Sequence, residues 1–341
     1  MPVVFGPQHG IWGHTQDNMV EWQDYFDSRF GVRFVSLYGD SREPNQVLLR
    51  DLDLLVIDLP DVGARYYTFV WTLASCMKVC SETGTKVLVL DRPNPINGAT
   101  VEGPVLDPVY ASFVGLYPLP IRHGMTMGEI AHYLKSRYFP KVELEVIACE
   151  GWDRRVFLDE TDLPWAMPSP NMPAISTALV YPGQCLLEGT SISEGRGTTR
   201  PFEVFGAPKI DGWVLAEQLN QCGLAGAHFR PYAFEPTFQK HAKQLCEGCF
   251  LHVTDRNLFQ PFETSVTILK TLLSLFPEVF AWKQPPYEYE YEKLPIDILV
   301  GNCWTRQGIE TGETVRAMAD RWADEVESFN RTWREPSLIY A

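Results

Sequence analysis

The 341-residue sequence lacks several patterns by which common protein classes are identified. It has no apolar run long enough to cross a membrane, so no membrane-spanning helix is predicted. Its start, MPVVFGPQHG, has no basic region followed by a sustained apolar stretch, which predicts no signal peptide and a cytoplasmic location. No GxGxxG, Walker-type loop, GxSxG or HExxH motif is present, so nicotinamide, nucleotide, serine-hydrolase and zinc-protease chemistry lose their main sequence support.

Basic residues are also scarce, with 29 Lys and Arg against 43 Asp and Glu and a net charge of −14. Nucleic acid and anionic membranes are therefore not expected partners, because phosphate binding needs clustered positive charge. The 8 Cys residues are scattered, and one CxxC pair, Cys246 and Cys249, has no second pair at zinc-ligand spacing. We expect a reducing compartment, no metal, no cofactor and a small-molecule partner.

Short apolar runs and amphipathic segments alternate in the first half of the chain. Strands are predicted at residues 3–5, 33–37, 52–59 and 86–90, and helices at residues 20–30 and 67–82. Gly84 is predicted to end the second of these helices. The strands at 52–59 and 86–90 are continuously apolar, which predicts burial on both faces. This strand–helix–strand order predicts an α/β fold with a doubly wound parallel sheet.

The second half begins after a Pro-rich stretch at residues 152–173, which predicts a domain boundary. We therefore expect one domain at residues 1–155 and another at residues 156–341. Before the boundary, Thr126 and Glu129 form a predicted capping box that opens a helix. Beyond it, the pattern predicts helices near residues 214–221, 266–275 and 318–333 and a strand at 249–253.

Polar side chains follow three of the predicted strands directly. The segments are GPQHG at residues 6–10, PDVGARYY at 60–67 and DRPNP at 91–95. Ligands of parallel sheets bind outside the carboxyl ends of the strands, so this convergence predicts a site. Taken singly, Asp58 or Asp61 is equally explained as a helix cap, and Asp91 with Arg92 as a surface ion pair.

Residues 188–203, EGTSISEGRGTTRPFE, form the most informative segment of the chain. Three carboxylates (Glu188, Glu194 and Glu203) and two guanidiniums (Arg196 and Arg200) are separated there by glycines. Buried unpaired charge is costly, which argues against a core element, and close backbone approach favours glycine in a pocket loop. The segment predicts a polar ligand site, and the alternative is a solvated turn with ion pairs.

These motifs, together with SLYG, VEGP, HGMTMGE and PSPNMP, resemble those of the NamZ-type exo-β-N-acetylmuramidases, in the same order. The resemblance covers nearly the whole chain, from Phe5 to about Gly301. It implies a Rossmann-like N-terminal domain, a smaller C-terminal α/β (α+β) domain and an active site between them. It also implies removal of N-acetylmuramic acid from the non-reducing end of peptidoglycan fragments.

The resemblance and the predicted rim together suggest the site residues. The candidate acids and bases are Glu188, Glu194, Glu102, Asp58 and Asp61, with His9 and His123 as further proton carriers. Arg65, Arg92 or Arg196 is expected to pair with the lactyl carboxylate, and Tyr66, Tyr67 or Trp165 to stack on a ring. Gln8, Asn94 and Asn171 complete the expected binding residues. Glu194→Gln is expected to lower turnover by several orders of magnitude.

The chain departs from the family pattern at two places. Family members usually begin with one more strand–helix unit before the strand at residues 3–5. Many also carry Glu at the position of Gln8, and an amide does not donate a proton as a carboxylic acid does. Residues 16–19, QDNM, resemble a subgroup that shares this Gln. Two alternatives follow: a hydrolase of another amino sugar or acidic saccharide, and a sugar-binding protein without hydrolysis.

Overall fold

The computed structural model describes residues 3–16, 20–39 and 41–341, so most of the QDNM segment lies outside the described residues. Within them, the strands are β1 (Val3–Gly6), β2 (Tyr25–Asp27), β3 (Val32–Ser36), β4 (Leu54–Ile57), β5 (Lys86–Leu90), β6 (Glu102–Val105), β7 (Pro120–Arg122), β8 (Leu144–Ile147), β9 (Val204–Ala207), β10 (Ala227–Phe234) and β11 (Cys246–Val253). The α-helices are α1 (Gln46–Arg50), α2 (Phe69–Thr83), α3 (Met127–Arg137), α4 (Ile175–Gln184), α5 (Gly212–Gln221), α6 (Pro261–Leu275), α7 (Pro295–Val300), α8 (Trp304–Thr311) and α9 (Val315–Phe329). No helix among the described residues is long and apolar enough to cross a bilayer.

The N-terminal half has the parallel strands and crossover helices of the predicted α/β class. One sheet has the order β4-β5-β8 with all strands parallel, and α2 connects β4 to β5. In a second sheet, β1 pairs in parallel with β3, and β2 pairs with β3 in antiparallel orientation. The predicted parallel strands are therefore confirmed, but they are divided between two sheets.

A groove of about 850 Å³ separates these two sheets. β1 lines one side of it and β4 lines the other. Among the described residues, β1 pairs with β3 and β4 pairs with β5, each through a single edge. Two strand edges thus border this groove.

Strand β4 is buried on one face only, so the prediction of two buried faces for residues 52–59 is wrong. Leu55 and Ile57 point into the core with 7% and 5% exposure. Leu54 and Val56, on the opposite face, are 38% and 47% exposed. An apolar run permits burial of both faces, but burial also needs an element packed on each face.

Residues 20–30 do not form the predicted helix. The segment contains β2, which pairs with β3 as a hairpin instead. Gly31 lies between the two strands with φ of 63°, a left-handed conformation that suits a tight reversal of the chain. Phe26 and Phe30, two large apolar residues of this segment, are 61% and 60% exposed.

The helices next to the strand ends begin and end as predicted. Gly84 ends α2 in a left-handed conformation, with φ of 80°. Thr126 caps α3: its hydroxyl accepts from the Glu129 amide at 3.2 Å, and the Glu129 carboxylate accepts from the Thr126 amide at 3.0 Å. Both bonds of the predicted capping box are therefore present.

The C-terminal half contains an antiparallel sheet in the order β10-β11-β9, with α5 and α6 nearby. Its predicted helices fall within or overlap α5, α6 and α9, and its predicted strand lies within β11. α9 packs against β6 of the N-terminal half. Just beyond α9, Arg334 donates to the carbonyls of Gly98 and Gly124 at 2.5 and 3.1 Å. The end of the chain is thereby fixed to the first half.

Arg65 also joins the two halves. Its guanidinium is fully buried and donates to the carbonyls of Pro104 at 3.1 Å, Leu119 at 3.0 Å and Leu299 at 2.7 Å. The first two acceptors belong to the N-terminal half and the third lies in α7. This side chain therefore satisfies three backbone acceptors that are distant in sequence.

Replacing Arg65 by Met removes the donors from three buried carbonyls while keeping most of the side-chain volume. A buried acceptor without a partner costs about 1–3 kcal/mol, so we expect the free energy of unfolding to fall by roughly 3 kcal/mol or more. Urea denaturation followed by circular dichroism measures this change. The exposed Arg50→Met is the matched control, expected to change stability by less than about 0.5 kcal/mol. Equal stability of the two variants would contradict this role.

Candidate active site

A small polar cavity of about 30 Å³ lies where loops of both halves meet. The loop after β1, the start of α2, the segment after α4 and a turn near residue 288 contribute to its wall. Seven of the predicted site residues line it: Gln8, His9, Tyr66, Tyr67, Asn171, Glu188 and Arg196. A buried water needs about 10–15 Å³ of such space, so the cavity has room for one or two waters.

Glu188 and Arg196 form a buried ion pair in the wall of this cavity. The Arg196 guanidinium donates to one Glu188 oxygen at 2.7 Å, and the Tyr287 hydroxyl donates to the other at 2.8 Å. Burial alone would raise the pKa of Glu188, but the Arg196 charge, these two hydrogen bonds and the Lys240 ammonium hold that pKa below its usual value. Glu188 is therefore ionised at neutral pH.

Glu194 lies behind Arg196 and is not part of the cavity wall. Its carboxylate is 3.5 Å from Arg196 Nε and accepts from Lys240 Nζ at 2.8 Å. Lys240 also donates to the carbonyls of Leu187 and Ile192, at 2.7 and 2.8 Å. This second carboxylate thus balances the Arg196 charge and fixes the position of its guanidinium.

His9 faces the cavity as a neutral imidazole. The ring is buried, and its Nδ1 lies 2.8 Å from the Thr15 carbonyl, which requires the proton on Nδ1. Burial and, to a smaller extent, the nearby Arg196 charge together lower the pKa of His9 to about 4, against the opposing effects of Thr15 and Glu188. At neutral pH the second ring nitrogen therefore carries no proton.

Gln8 is held by hydroxyl groups on both ends of its amide. Thr68 Oγ1 donates to Gln8 Oε1 at 2.7 Å, and Gln8 Nε2 donates to the Tyr38 hydroxyl at 3.2 Å. Tyr38 in turn donates to Glu288 Oε2 at 3.1 Å. Tyr38 thus connects Gln8, at the position where many family members carry Glu, to the carboxyl group of Glu288.

The two tyrosines and the asparagine at the cavity have different surroundings. The Tyr66 hydroxyl donates to the Pro182 carbonyl, and burial raises the pKa of Tyr66 well above its usual value. Burial likewise raises the pKa of Tyr67, so both phenols are neutral. Asn171 donates to the Gln16 carbonyl at 2.7 Å and connects two loops at the edge of the cavity.

A second, open groove of about 890 Å³ lies beyond the carboxyl ends of β4, β5 and β8. Asp58, Asp61, Arg92 and Trp165 are among the residues that line it. Two of the three predicted strand ends therefore meet there, whereas the GPQHG segment reaches the small cavity.

Arg92 forms a half-exposed surface ion pair, with a 2.7 Å contact, but its partner is Asp58 and not the predicted Asp91. Asp91 instead accepts from Thr126 Oγ1 at 2.6 Å. Neither Asp58 nor Asp61 caps α2, whose N-cap is Thr68.

Asp61 and His123 contact each other beneath that groove. His123 Nε2 lies 3.2 Å from Asp61 Oδ2, and both side chains are almost completely buried. His123 Nδ1 accepts from the Met125 amide at 3.2 Å, and Asp61 Oδ2 accepts from the Gly63 amide at 3.0 Å. Both residues thus fix loop backbone, in addition to any role toward a ligand.

Three further predicted site residues satisfy backbone groups away from the cavity. Arg65 binds three carbonyls as described above, and Asn94 Nδ2 donates to the Met125 carbonyl at 2.9 Å. Glu102 accepts from the amides of Phe262 and Glu263 at 3.2 and 2.8 Å, at the start of α6. Some polar residues that were predicted to bind a ligand therefore stabilise the backbone instead. The sequence pattern alone does not distinguish these two roles.

Glu288 and Tyr287 line the cavity but were absent from the predicted site. They belong to the run YEYEYE at residues 287–292, which reads as an exposed alternating strand. The chain turns there instead: Tyr287 pairs with Glu290, and Glu288 and Tyr289 have φ of 44° and 68°. The turn directs Glu288 inward, to 3% exposure. The density of tyrosine beside glutamate was the only signal in the sequence.

An α/β scaffold that brings an ionised carboxylate, a guanidinium and a buried imidazole of lowered pKa to one cavity between its two halves is typical of an enzyme. The chain belongs to the NamZ exo-β-N-acetylmuramidase family: the model of the NamZ N-terminal domain matches residues 1–176 and that of the C-terminal domain matches residues 179–340. The Bacillus subtilis peptidoglycan β-N-acetylmuramidase NamZ is 42% identical over 340 residues, which are 100% of this chain and 80% of that protein. The domain boundary near residue 155 stays a prediction.

Solved structures support the same fold. Two DUF1343 family proteins from Bacteroides fragilis superpose with TM-scores of 0.87 and 0.72, at 29% and 30% sequence identity. Each match covers 99% of this chain, and 86% and 85% of the respective Bacteroides chains. The predicted family and two-part α/β fold are therefore confirmed.

The buried Glu102 should make the stability of the protein depend on pH. Burial raises the pKa of Glu102 to about 7, against the two α6 amides and Arg122, which lower it. A carboxyl group whose pKa is higher in the folded state favours folding when protonated, so the free energy of unfolding falls as pH rises from about 4.5 to about 7. Glu102→Gln should reduce this fall by on the order of 3 kcal/mol.

Urea denaturation at pH 5 and pH 7.5 measures that difference. Glu288, treated below, adds to the same pH window, so we expect a reduced slope and not a flat one. The exposed Glu217→Gln is the control and should keep the wild-type slope. A Glu102→Gln protein with the wild-type slope would show that Glu102 titrates normally.

Proposed function

We propose that this protein is an exo-acting glycoside hydrolase that releases N-acetylmuramic acid from the non-reducing end of peptidoglycan fragments. Its family membership and its 42% identity to the Bacillus subtilis peptidoglycan β-N-acetylmuramidase support this substrate class. The structural observation that carries the proposal is Glu188, an ionised carboxylate in an enclosed polar cavity and bonded to Arg196 at 2.7 Å.

Glycoside hydrolysis passes through a transition state with positive charge at the anomeric carbon, and an ionised carboxylate stabilises that charge. Glu188 meets this requirement, because Arg196 and Tyr287 hold it deprotonated and in a fixed orientation. In this role it attacks the anomeric carbon, activates a water or orients the 2-acetamido group of the sugar. Each of these routes needs a second, protonated group at the leaving oxygen.

Arg196 is the arginine best placed to recognise the substrate. Of the three arginines considered, Arg65 is bonded to backbone carbonyls and Arg92 lies in the open groove, whereas Arg196 lines the cavity. A guanidinium pairs well with a carboxylate such as the lactyl group of muramic acid. We assign ring stacking to Tyr67 and a polar substrate contact to Asn171, both of which line the cavity, and contact with a second sugar to Trp165 in the open groove.

Substrate binding requires a movement of the loops around the cavity. The cavity of about 30 Å³ is far smaller than a sugar ring. Residues 8–9 and 169–172 form part of its wall, and the hydrogen bond from Asn171 to the Gln16 carbonyl connects their loops. Breaking this connection opens a path without disturbing the buried Glu188–Arg196 pair.

A cytoplasmic location is part of the proposal. All eight cysteines lie in described residues, and each carries a free thiol. Free thiols persist where the compartment is reducing. A small saccharide is accordingly the proposed partner, taken up as a fragment of peptidoglycan.

The direct test is to incubate the protein with the disaccharide MurNAc–GlcNAc and detect free N-acetylmuramic acid by mass spectrometry. Glu188→Gln keeps the side-chain shape but removes the charge, so we expect turnover to fall by on the order of a thousandfold or more. The exposed Glu217→Gln is the control and should retain wild-type turnover.

Glu194→Gln distinguishes the two carboxylates of the loop. Because Glu194 supports Arg196 from outside the cavity, we expect its variant to lose less activity than Glu188→Gln, in place of the loss of several orders of magnitude expected from the sequence alone. A folded wild-type protein that releases no N-acetylmuramic acid would contradict the proposed function. Release that is unaffected by Glu188→Gln would place the reaction elsewhere.

A further inference from the structure

Glu288 shares the polar cavity with Glu188 and His9. It is 3% exposed, and its Oε2 accepts from the Tyr38 hydroxyl at 3.1 Å. Within the part of the chain that the structure describes, Glu288 Oε1 makes no hydrogen bond of its own. Tyr38 therefore holds one oxygen of a carboxyl group that lines the cavity.

The backbone around Glu288 is built to hold this side chain inward. Glu288 and Tyr289 both have positive φ, which costs of order 1–3 kcal/mol for each residue other than glycine. Packing maintains the turn: the Arg42 guanidinium lies 3.9 Å from the Tyr289 ring centroid and 4.8 Å from that of Tyr38. On the other side, Tyr287 is bonded to Glu188. Strain of this kind is concentrated at functional sites.

Glu288 is also connected to the position where this chain lacks a carboxyl group. Thr68, Gln8, Tyr38 and Glu288 form one continuous chain of hydrogen bonds. Gln8 has no acidic proton, so it orients Tyr38 but does not supply a proton to a leaving group. The nearest carboxyl group along this chain of bonds is that of Glu288.

We propose that Glu288 is the general acid of this enzyme, donating its proton to the glycosidic oxygen while Glu188 stays ionised. The inference rests on the proposed function and adds the proton donor that the reaction requires. Tyr38 and Gln8 are positioning residues: they hold Glu288 through one oxygen and do not touch the reacting atoms.

The electrostatics of the cavity agree with this division. Burial and, after it, the Glu188 charge raise the pKa of Glu288 to about 7, against Tyr38, Arg196 and Arg42, which lower it. Glu188 has its pKa lowered in the same cavity. Two carboxyl groups driven to opposite protonation states are the pattern of an acid and its ionised partner.

The proposed hydrolysis returns every proton that it uses. The carboxyl proton of Glu288 moves to the glycosidic oxygen as the bond from that oxygen to the anomeric carbon breaks, and GlcNAc leaves with its hydroxyl group complete. Water then supplies a hydroxyl group to the anomeric carbon and a proton to a cavity carboxylate. Return of that proton to Glu288 restores the starting state, and no redox partner is needed.

Leaving groups of different basicity test the proposal. The leaving group of MurNAc–GlcNAc is a sugar hydroxyl, which needs a proton to leave. The 4-nitrophenyl glycoside of N-acetylmuramic acid instead releases 4-nitrophenolate, which leaves with little help from an acid. Glu288→Gln should lower kcat/KM for the disaccharide by about 10²–10⁴-fold and for the aryl glycoside by less than about tenfold. Glu188→Gln should impair both substrates, and the exposed Glu292→Gln neither. Circular dichroism confirms that each variant is folded.

The pH profile gives a second test through Tyr38→Phe, a variant that removes one hydroxyl group. The wild-type kcat/KM for the disaccharide should fall on the alkaline side near pH 7, as Glu288 loses its proton. Without the Tyr38 hydrogen bond the carboxylate is less stable, so this limb should move to higher pH. A purely structural role for Tyr38 would lower activity without moving the limb.

Three results would overturn the inference. They are full activity of Glu288→Gln on the disaccharide, equal losses on the two substrates, and an alkaline limb that Tyr38→Phe leaves in place. A wild-type protein inactive on both substrates would instead contradict the proposed function, and the role of Glu288 would fall with it. The wild-type measurement separates these two failures.

Discussion

The buried ion pair of Glu188 and Arg196 is the interaction on which the site depends. Removing two charges from water costs several kcal/mol per ion, so such a pair persists only when further bonds satisfy it. Tyr287 binds the carboxylate, and Glu194 with Lys240 supports the guanidinium from behind. Glu188, Glu194 and Arg196 of the segment at residues 188–203 thus form, together with Lys240, a neutral cluster around one functional carboxylate.

This pair also affects the protonation of its neighbours. Burial is the main reason that the pKa of His9 is lowered and that of Glu288 is raised, and the Arg196 charge adds to the first shift and the Glu188 charge to the second. A single cavity therefore contains an ionised carboxylate, a neutral imidazole and a carboxyl group that is partly protonated at neutral pH. A change at Glu188 or Arg196 will alter all three states together, which is why their variants need readouts other than total activity.

The sequence predicted the parts of the site that rest on local chemistry. Glycines beside charges marked residues 188–203, and Gly195 and Gly197 indeed have φ of 78° and 82°. It did not separate ligand-facing groups from those that satisfy buried backbone: Arg65 and Glu102 serve carbonyls and amides from distant segments. Glu288 was not among the predicted site residues, because its orientation depends on a turn that tertiary contacts fix and not on the alternation of its neighbours.

The same limit applies to the fold. Parallel strands, the capping box at Thr126 and the end of α2 at Gly84 follow from local patterns and were predicted. The hairpin of β2 and β3 and the exposed face of β4 depend on which elements pack together. Amphipathic spacing alone favoured a helix at residues 20–30, whereas strand pairing determined the outcome.

The measurement that tests the central claim most directly is a crystal structure of the protein with N-acetylmuramic acid bound. We expect the sugar in an enlarged polar cavity, with its anomeric carbon facing Glu188, its carboxylate on Arg196 and Glu288 within hydrogen-bonding reach of the anomeric oxygen. A sugar bound instead in the open groove beside Asp61 and Arg92, with the cavity unchanged, would contradict this account.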